Sequence, residues 1–278
     1  MRSPRPRCWL GIWSLGLVLL AGCPLSGSPP PRDSSAEPSS DESPLASEPA
    51  PAILSARLSR VDDPELDGRD GVLVVFDLEV DAASLDPRAF VVSRATTGPV
   101  RPEMAVLAPA NEDDENRSVM LVGDFGDATP QGQPTHVAVS GPLFSEGGRR
   151  LSGLGASIEA FELPPRIVAL TAMTPAARRC EGAGALVRTY WSDDLRGVEP
   201  DDLARIRVEL DEGSVHPLRF DDHSTEHGEA SQDNVLDLCL ADGAPARRVR
   251  VEAGAFQDAA GHGSAAADLE IANSASPS

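Results

Sequence analysis

The sequence predicts an all-β protein: two tandem β-sandwiches of about seven strands each, behind a signal peptide and a disordered linker. Three observations carry this. From Ile53 onward, short runs of alternating apolar and polar residues are bounded by Gly, Pro, Asp and Asn. No stretch between 51 and 163 keeps helical periodicity for three turns. Landmarks in the second half of the chain repeat those of the first at a nearly constant offset.

The first element is a leader, residues 1–22. Arg2, Arg5 and Arg7 form a basic start, a mostly apolar stretch runs from Cys8 to Leu20, and small residues lead into Cys23. That is the build of a secretory signal, and its apolar stretch is too short to span a bilayer. Leu20-Ala21-Gly22-Cys23 resembles the bacterial lipobox. The resemblance implies that Cys23 is lipidated and becomes the mature N-terminus, so that the membrane is reached through lipid on Cys23. The other reading is an ordinary cleaved signal that leaves Cys23 free. Pro24, where an Asp would signal inner-membrane retention in enteric bacteria, favours an address in the cell envelope at the outer membrane, on its periplasmic or surface face.

Residues 23–51 are rich in Ser, Pro, Glu and Asp. Such a segment has too little apolar area to offset chain entropy and is expected to be disordered, a tether reaching roughly 30 Å or more.

The first sandwich is expected over 52–163. In Val72-Leu73-Val74-Val75-Phe76-Asp77-Leu78-Glu79-Val80 the even positions are apolar, with Asp77 and Glu79 on the opposite face, which describes a half-buried strand. Further strands are expected at 53–61, 89–94, 100–107, 117–123, 135–140 and 156–161. Seven short strands in this length suggest an immunoglobulin-like sandwich.

The second sandwich is expected over 164–273, with a short disordered tail at 274–278. His136-Val137-Ala138-Val139-Ser140, followed by Phe144, matches Arg248-Val249-Arg250-Val251-Glu252, followed by Phe256. Leu85-Asp86-Pro87 matches Val198-Glu199-Pro200, and Ile53 matches Ile167. Leu163-Pro164-Pro165 lies at the join, where proline stiffens a very short linker, so the two copies are expected to behave as beads with limited freedom.

These landmarks also carry a resemblance. The segment from Val80-Asp81-Ala82-Ala83-Ser84-Leu85 to Val92, then Val137 to Phe144 and the turn Ser145-Glu146-Gly147-Gly148, resembles the bacterial Ig-like domains of surface-layer proteins. The second copy matches more loosely: Thr189-Tyr190-Trp191 replaces an apolar-Phe strand, and Ser192 to Gly197 reads as a looser connection. The family implies spacing, display and adhesion, without an active site. It also bears on the cysteines. Cys8 leaves with the leader and Cys23 takes lipid, so Cys180 and Cys239 remain as a pair in an oxidising compartment. In an Ig-like sheet strands B and E run antiparallel, and the start of B (about 184–191) faces the end of E (about 234–240), which brings the two cysteines together. The alternative is two free thiols.

Charge and composition exclude several classes. The chain has 44 acids against 24 bases, a net of −20, and every base is arginine. Removing the three leader arginines leaves −23, which repels nucleic acid. Aromatic residues are 4% of the chain, too few to line a sugar groove or stack on bases. There is no Gly-x-Ser-x-Gly, His-Glu-x-x-His or phosphate loop, and no lysine for Schiff-base chemistry. The expectation is therefore a non-enzyme without a cofactor, engaging an envelope or surface protein partner. The alternatives are a divalent-cation- or ligand-binding envelope module, or an accessory subunit of an envelope enzyme.

Metal sites are weakly signalled. His223 and His227 are four apart, as paired zinc ligands often are, but they sit in an acidic loop and only His216 and His262 stand as distant third ligands. Asp62 and Asp67, in the loop 62–71, match no calcium-loop spacing. Asn111-Glu112-Asp113-Asp114-Glu115-Asn116 reads as a polar turn between the fourth and fifth strands. No metal is assigned to any of them.

Overall fold

A computed structural model describes residues 49–59, 69–110, 112, 114–126, 129, 132–176, 179–221 and 233–271. Cys23 and the tether lie outside them, as do Asp62, Asp67, His223 and His227. The described chain from residue 49 onward belongs to one compact unit.

The N-terminal half has seven strands: β1 (Ile53–Ser59), β2 (Asp70–Phe76), β3 (Phe90–Arg94), β4 (Met104–Leu107), β5 (Ser118–Gly123), β6 (Pro134–Val139) and β7 (Gly155–Ser157). They form one sheet in the order β1-β2-β5-β4 and a second in the order β3-β6-β7, with every named pair antiparallel. This is the strand order of an immunoglobulin-like sandwich. Alternation explains the core between the sheets: Val72, Val74 and Phe76 meet Val119 and Leu121 on one sheet, and Phe90, Val92, Val137 and Val139 on the other.

The C-terminal half repeats the plan with β8 (Ile167–Met173), β9 (Ala185–Leu195), β10 (Ile206–Leu210), β11 (Gly213–Val215), β12 (Arg219–Asp221), β13 (Asp233–Leu240), β14 (Ala246–Val251) and β15 (Ala267–Glu270). The sheets run β12-β13-β9-β8 and β11-β10-β14-β15. In both halves an acid followed by proline opens a short 3-10 turn just before the third core strand. Asp86 accepts from the Arg88 N–H before Pro87–Ala89, and Glu199 and Asp202 form a capping box around Pro200–Arg205. The matched phenylalanines diverge. Phe256 is buried edge-on to Trp191 at 5.4 Å, whereas Phe144 is exposed.

Two expectations are corrected. Residues 192–195 are not a looser connection, because β9 continues through them to Leu195, buried along its length. Nor is β2 half-buried, or the two halves beads on a linker. Leu73, Val75, Met120 and Val122, on the outer face of the first sheet, form a third apolar cluster with Tyr190 and Val235 from the second half. The five aliphatic side chains of that cluster contribute about 1.5–3 kcal/mol each over an exposed state, on the order of 10 kcal/mol together. Separating the halves would forfeit most of that.

Candidate functional site

Each sequence-predicted site residue within the described chain has a structural place. Cys180 and Cys239 form a disulfide with Cα atoms 5.2 Å apart, where the turn before β9 meets the end of β13. Cys180 has a left-handed backbone (φ 51°), unusual for a residue with a Cβ, and its N–H donates to Asp221 Oδ2 at 2.5 Å. Trp191 is buried, its indole N–H donating to Thr189 Oγ1 at 2.8 Å. His216 Nδ1 lies 2.6 Å from the Ile206 carbonyl, and His262 Nδ1 lies 2.9 Å from Asp258 Oδ2. The two imidazoles are each tied to their own loop rather than brought to a shared ligand position. A cleft of about 340 Å³ beside β10 and β14 is lined by Arg205, Arg207, His216 and Arg250. Its arginines are already engaged by Gly254 and Ala253 carbonyls, Ser214, and Asp268 with Glu209.

The chemistry that the sequence did not reveal sits at the joint between the halves, in two buried ionic clusters. The first centres on Arg57 of β1, which is fully buried. Its Nε lies 2.8 Å from Asp193 of β9, and one terminal nitrogen lies 3.2 Å from Asp258. The same nitrogen donates to the carbonyls of Phe161, at 3.0 Å, and Leu163. Ser59 Oγ donates to Asp193 at 2.7 Å. Asp258 also accepts the backbone N–H groups of Ala260 and His262, which fixes the loop bearing His262. Arg57 thus gathers β1, the inter-half connection, β9 and the loop before β15. Burial, and then the Asp193 charge, push the Asp194 carboxyl up to about 7.

The second cluster joins the turn before β5 to β9 and β13. Arg188 makes a bidentate pair with its cross-strand partner Asp237 (2.8 and 3.0 Å), donates to the Asp114 carbonyl at 2.7 Å, and lies 3.1 Å from Glu115. Burial would lower its pKa, yet Asp237 holds it above the ordinary arginine value. Arg179 lies 3.0 Å from Asp114 and 2.8 Å from Glu115. Burial alone would raise Asp114, but Arg188 and Arg179 hold it below the usual carboxylate range. One carboxylate oxygen from each of Glu112, Glu115 and Asp233 lies within 4.8 Å of the others. Burial pushes Asp233 up to about 7. Beside this cluster Arg117, paired with Glu79 at 2.9 Å, lies 4.5 Å from the centre of the Tyr190 ring. Asn234 donates across the joint to Ser118 Oγ at 2.8 Å.

One sequence signal bore on this region: the run Asn111–Asn116, read as a polar turn. Its partners Asp233, Arg179 and Arg188 are far away in sequence, and no local pattern connects them to it.

No family model matches the chain, and neither does any curated protein. Among solved structures it is similar to native alpha-2-macroglobulin from Escherichia coli, in a crystal structure spanning domains MG0-NIE-MG1. The match has 11% identity and a TM-score of 0.28, and covers 81% of this chain and 91% of that one. So low a score carries neither fold nor function across, and the Ig-like assignment rests on the strand orders above.

Proposed function

We propose that this chain is a lipid-anchored envelope protein with a non-catalytic role, presenting its sandwiches to a protein partner or holding a spacing at the membrane. The observation that carries the reading is the leader ending in Leu20-Ala21-Gly22-Cys23, followed by an acidic tether. Support comes from the folded part. Its halves are locked by Arg57 and the shared apolar cluster, a construction suited to holding loops in fixed relative positions. In this reading lipid on Cys23 places the protein at the outer membrane, and partner recognition is by exposed loops.

The test is metabolic labelling with a radiolabelled fatty acid, combined with membrane fractionation and in-cell crosslinking. Label in the wild type, loss of label and of membrane association in Cys23→Ala, and a partner enriched over a lipoprotein control are expected. An unlabelled wild-type protein released as a soluble species would overturn the anchor. Labelled protein with no enriched partner would overturn the display role.

A further inference from the structure

We propose that Asp193 and Asp194 form a carboxyl pair sharing one proton, and that this pair is a pH-sensitive latch on the joint between the two halves. The two acids are consecutive in β9, where a regular strand would send them to opposite faces. The strand is irregular there: between the ladder pairs Tyr190–Val235 and Leu195–Asp233, β9 takes five steps while β13 takes two. Both acids are buried in this bulge, 1% and 8% exposed. The Asp194 N–H donates to Asp193 Oδ1 at 3.1 Å, and the two carboxyl groups are within hydrogen-bond reach of each other. Two carboxyls held that close away from water do not both carry charge, so one keeps a proton and donates it to the other.

The neighbours decide which one. Asp193 faces β1: Arg57 Nε lies 2.8 Å from it, and Ser59 Oγ donates to it at 2.7 Å. Burial raises Asp193, but Arg57 and Ser59 act against that. Asp194 has two acids near it, Asp193 and, from the loop before β15, Asp258. Arg196 Nε donates to Asp194 Oδ2 at 3.2 Å and favours its charge, yet burial and the two acids outweigh it and push the carboxyl up to about 7. His262 pairs with Asp258 at 2.9 Å and leaves the pair alone. Asp194 is therefore the acid and Asp193 the carboxylate.

As an acid, Asp194 steadies Asp193 against Arg57. Through Arg57, β1 holds β9, the inter-half connection and the loop before β15. Loss of the proton to solvent leaves two adjacent charges in the bulge. Their repulsion and their demand for water both favour parting β1 from β9. The closed joint thus binds a proton that an aspartate in water keeps only below about pH 4. The joint is tightest in mild acid, loosens as pH rises towards about 7, and levels off beyond. The latch does not depend on lipidation of Cys23.

The test uses the full chain in detergent with Val75→Cys, a position fully buried in the joint on the outer face of β2. Its alkylation is read by peptide mapping and divided by the rate of a free thiol at each pH. Between pH ~5.5 and ~7.5 the relative rate is expected to rise about tenfold or more. Asp194→Asn, whose amide can donate to Asp193 as the acid does, should remove about tenfold of that rise. Asp233, also pushed up to about 7 by burial, accounts for any rise that remains. The infrared band of protonated carboxyl at pH ~5.5 should be weaker in the variant than in the wild type. Should Asp194→Asn fail to fold, Asp194→Ser keeps a donor without an ionisable group and takes its place. Val137→Cys, buried between the sheets of the first half, should react more slowly at every pH. The proposal is overturned by a flat rate in the protein with Asp194 intact, or by a folded Asp194 variant that keeps the full rise or the full infrared band. It is equally overturned if cysteines at 75 and 137 react alike, since the whole fold then opens and not the joint.

Discussion

Asp194 and Asp233 make stability depend on pH in the direction opposite to most carboxylates. Both are pushed up to about 7 in the fold, chiefly by burial, while an unfolded aspartate titrates near 4. The fold therefore binds protons that the unfolded chain has released. This contribution is fully present below about pH 4 and is lost as pH rises through about 7. Asp114, held below its usual range by Arg188 and Arg179, acts the other way and withdraws its support only in stronger acid. Tm is thus expected to be higher at pH ~5.5 than at ~8, and Asp194→Asn should flatten the difference. A Tm that rises steadily from pH ~5.5 to ~8 would show that these two carboxyls are ionised in the fold.

At the scale of elements, the disulfide ties the turn before β9 to the end of β13. Cys239 is the last residue but one of β13, and Cys180 sits in a left-handed turn five residues before β9 begins, so the bond ties the two central strands of the sheet together at one end. The enclosed loop of 59 residues predicts a stabilisation of about 4 kcal/mol in the chain-entropy model. Cys180→Ser with Cys239→Ser should lower urea stability by up to that amount. Cys239 faces Leu186 across the ladder and lies in a small apolar cluster with it, so the loss should centre on β8, β9 and β13. Equal stability in reduced and oxidised protein would contradict this. The pairing was legible in the sequence because it needed only strand order and compartment. The eleven-residue length of β9 was not. Ser192, Asp193 and Asp194 look like a loop, and they are strand because Arg57, Ser59 and Arg196 bind the acids that alternation alone would send to water.

For the whole molecule, the shared joint predicts a single unfolding event. Trp191 reports the second half by fluorescence, since it is the only tryptophan after the leader. Hydrogen exchange of β2 and β5 reports the first. The two should lose structure together in urea, and Arg57→Ala should shift both by about 3–5 kcal/mol, because it strands Asp193 and Asp258 as buried charges. Two separate transitions would restore the picture of beads.

By itself the sequence determined what local patterns can encode. Period-two alternation marked the strands of the first sandwich, the offset of about 112 residues exposed the duplication, and the elimination of two cysteines left one pair. Alternation says that a face is apolar, not what covers it. Leu73 and Val75 share the face of their strand with Asp77 and Glu79, and only the tertiary structure, which sets Met120 and Val122 beside them, turned that face into a joint. The same limit applies to charge. Glu115 and Asp233 stand more than a hundred residues apart, and nothing in either neighbourhood signals the other. Stacking one sheet on another put them in one buried space beside Arg179, where the low dielectric strengthens every charge contact.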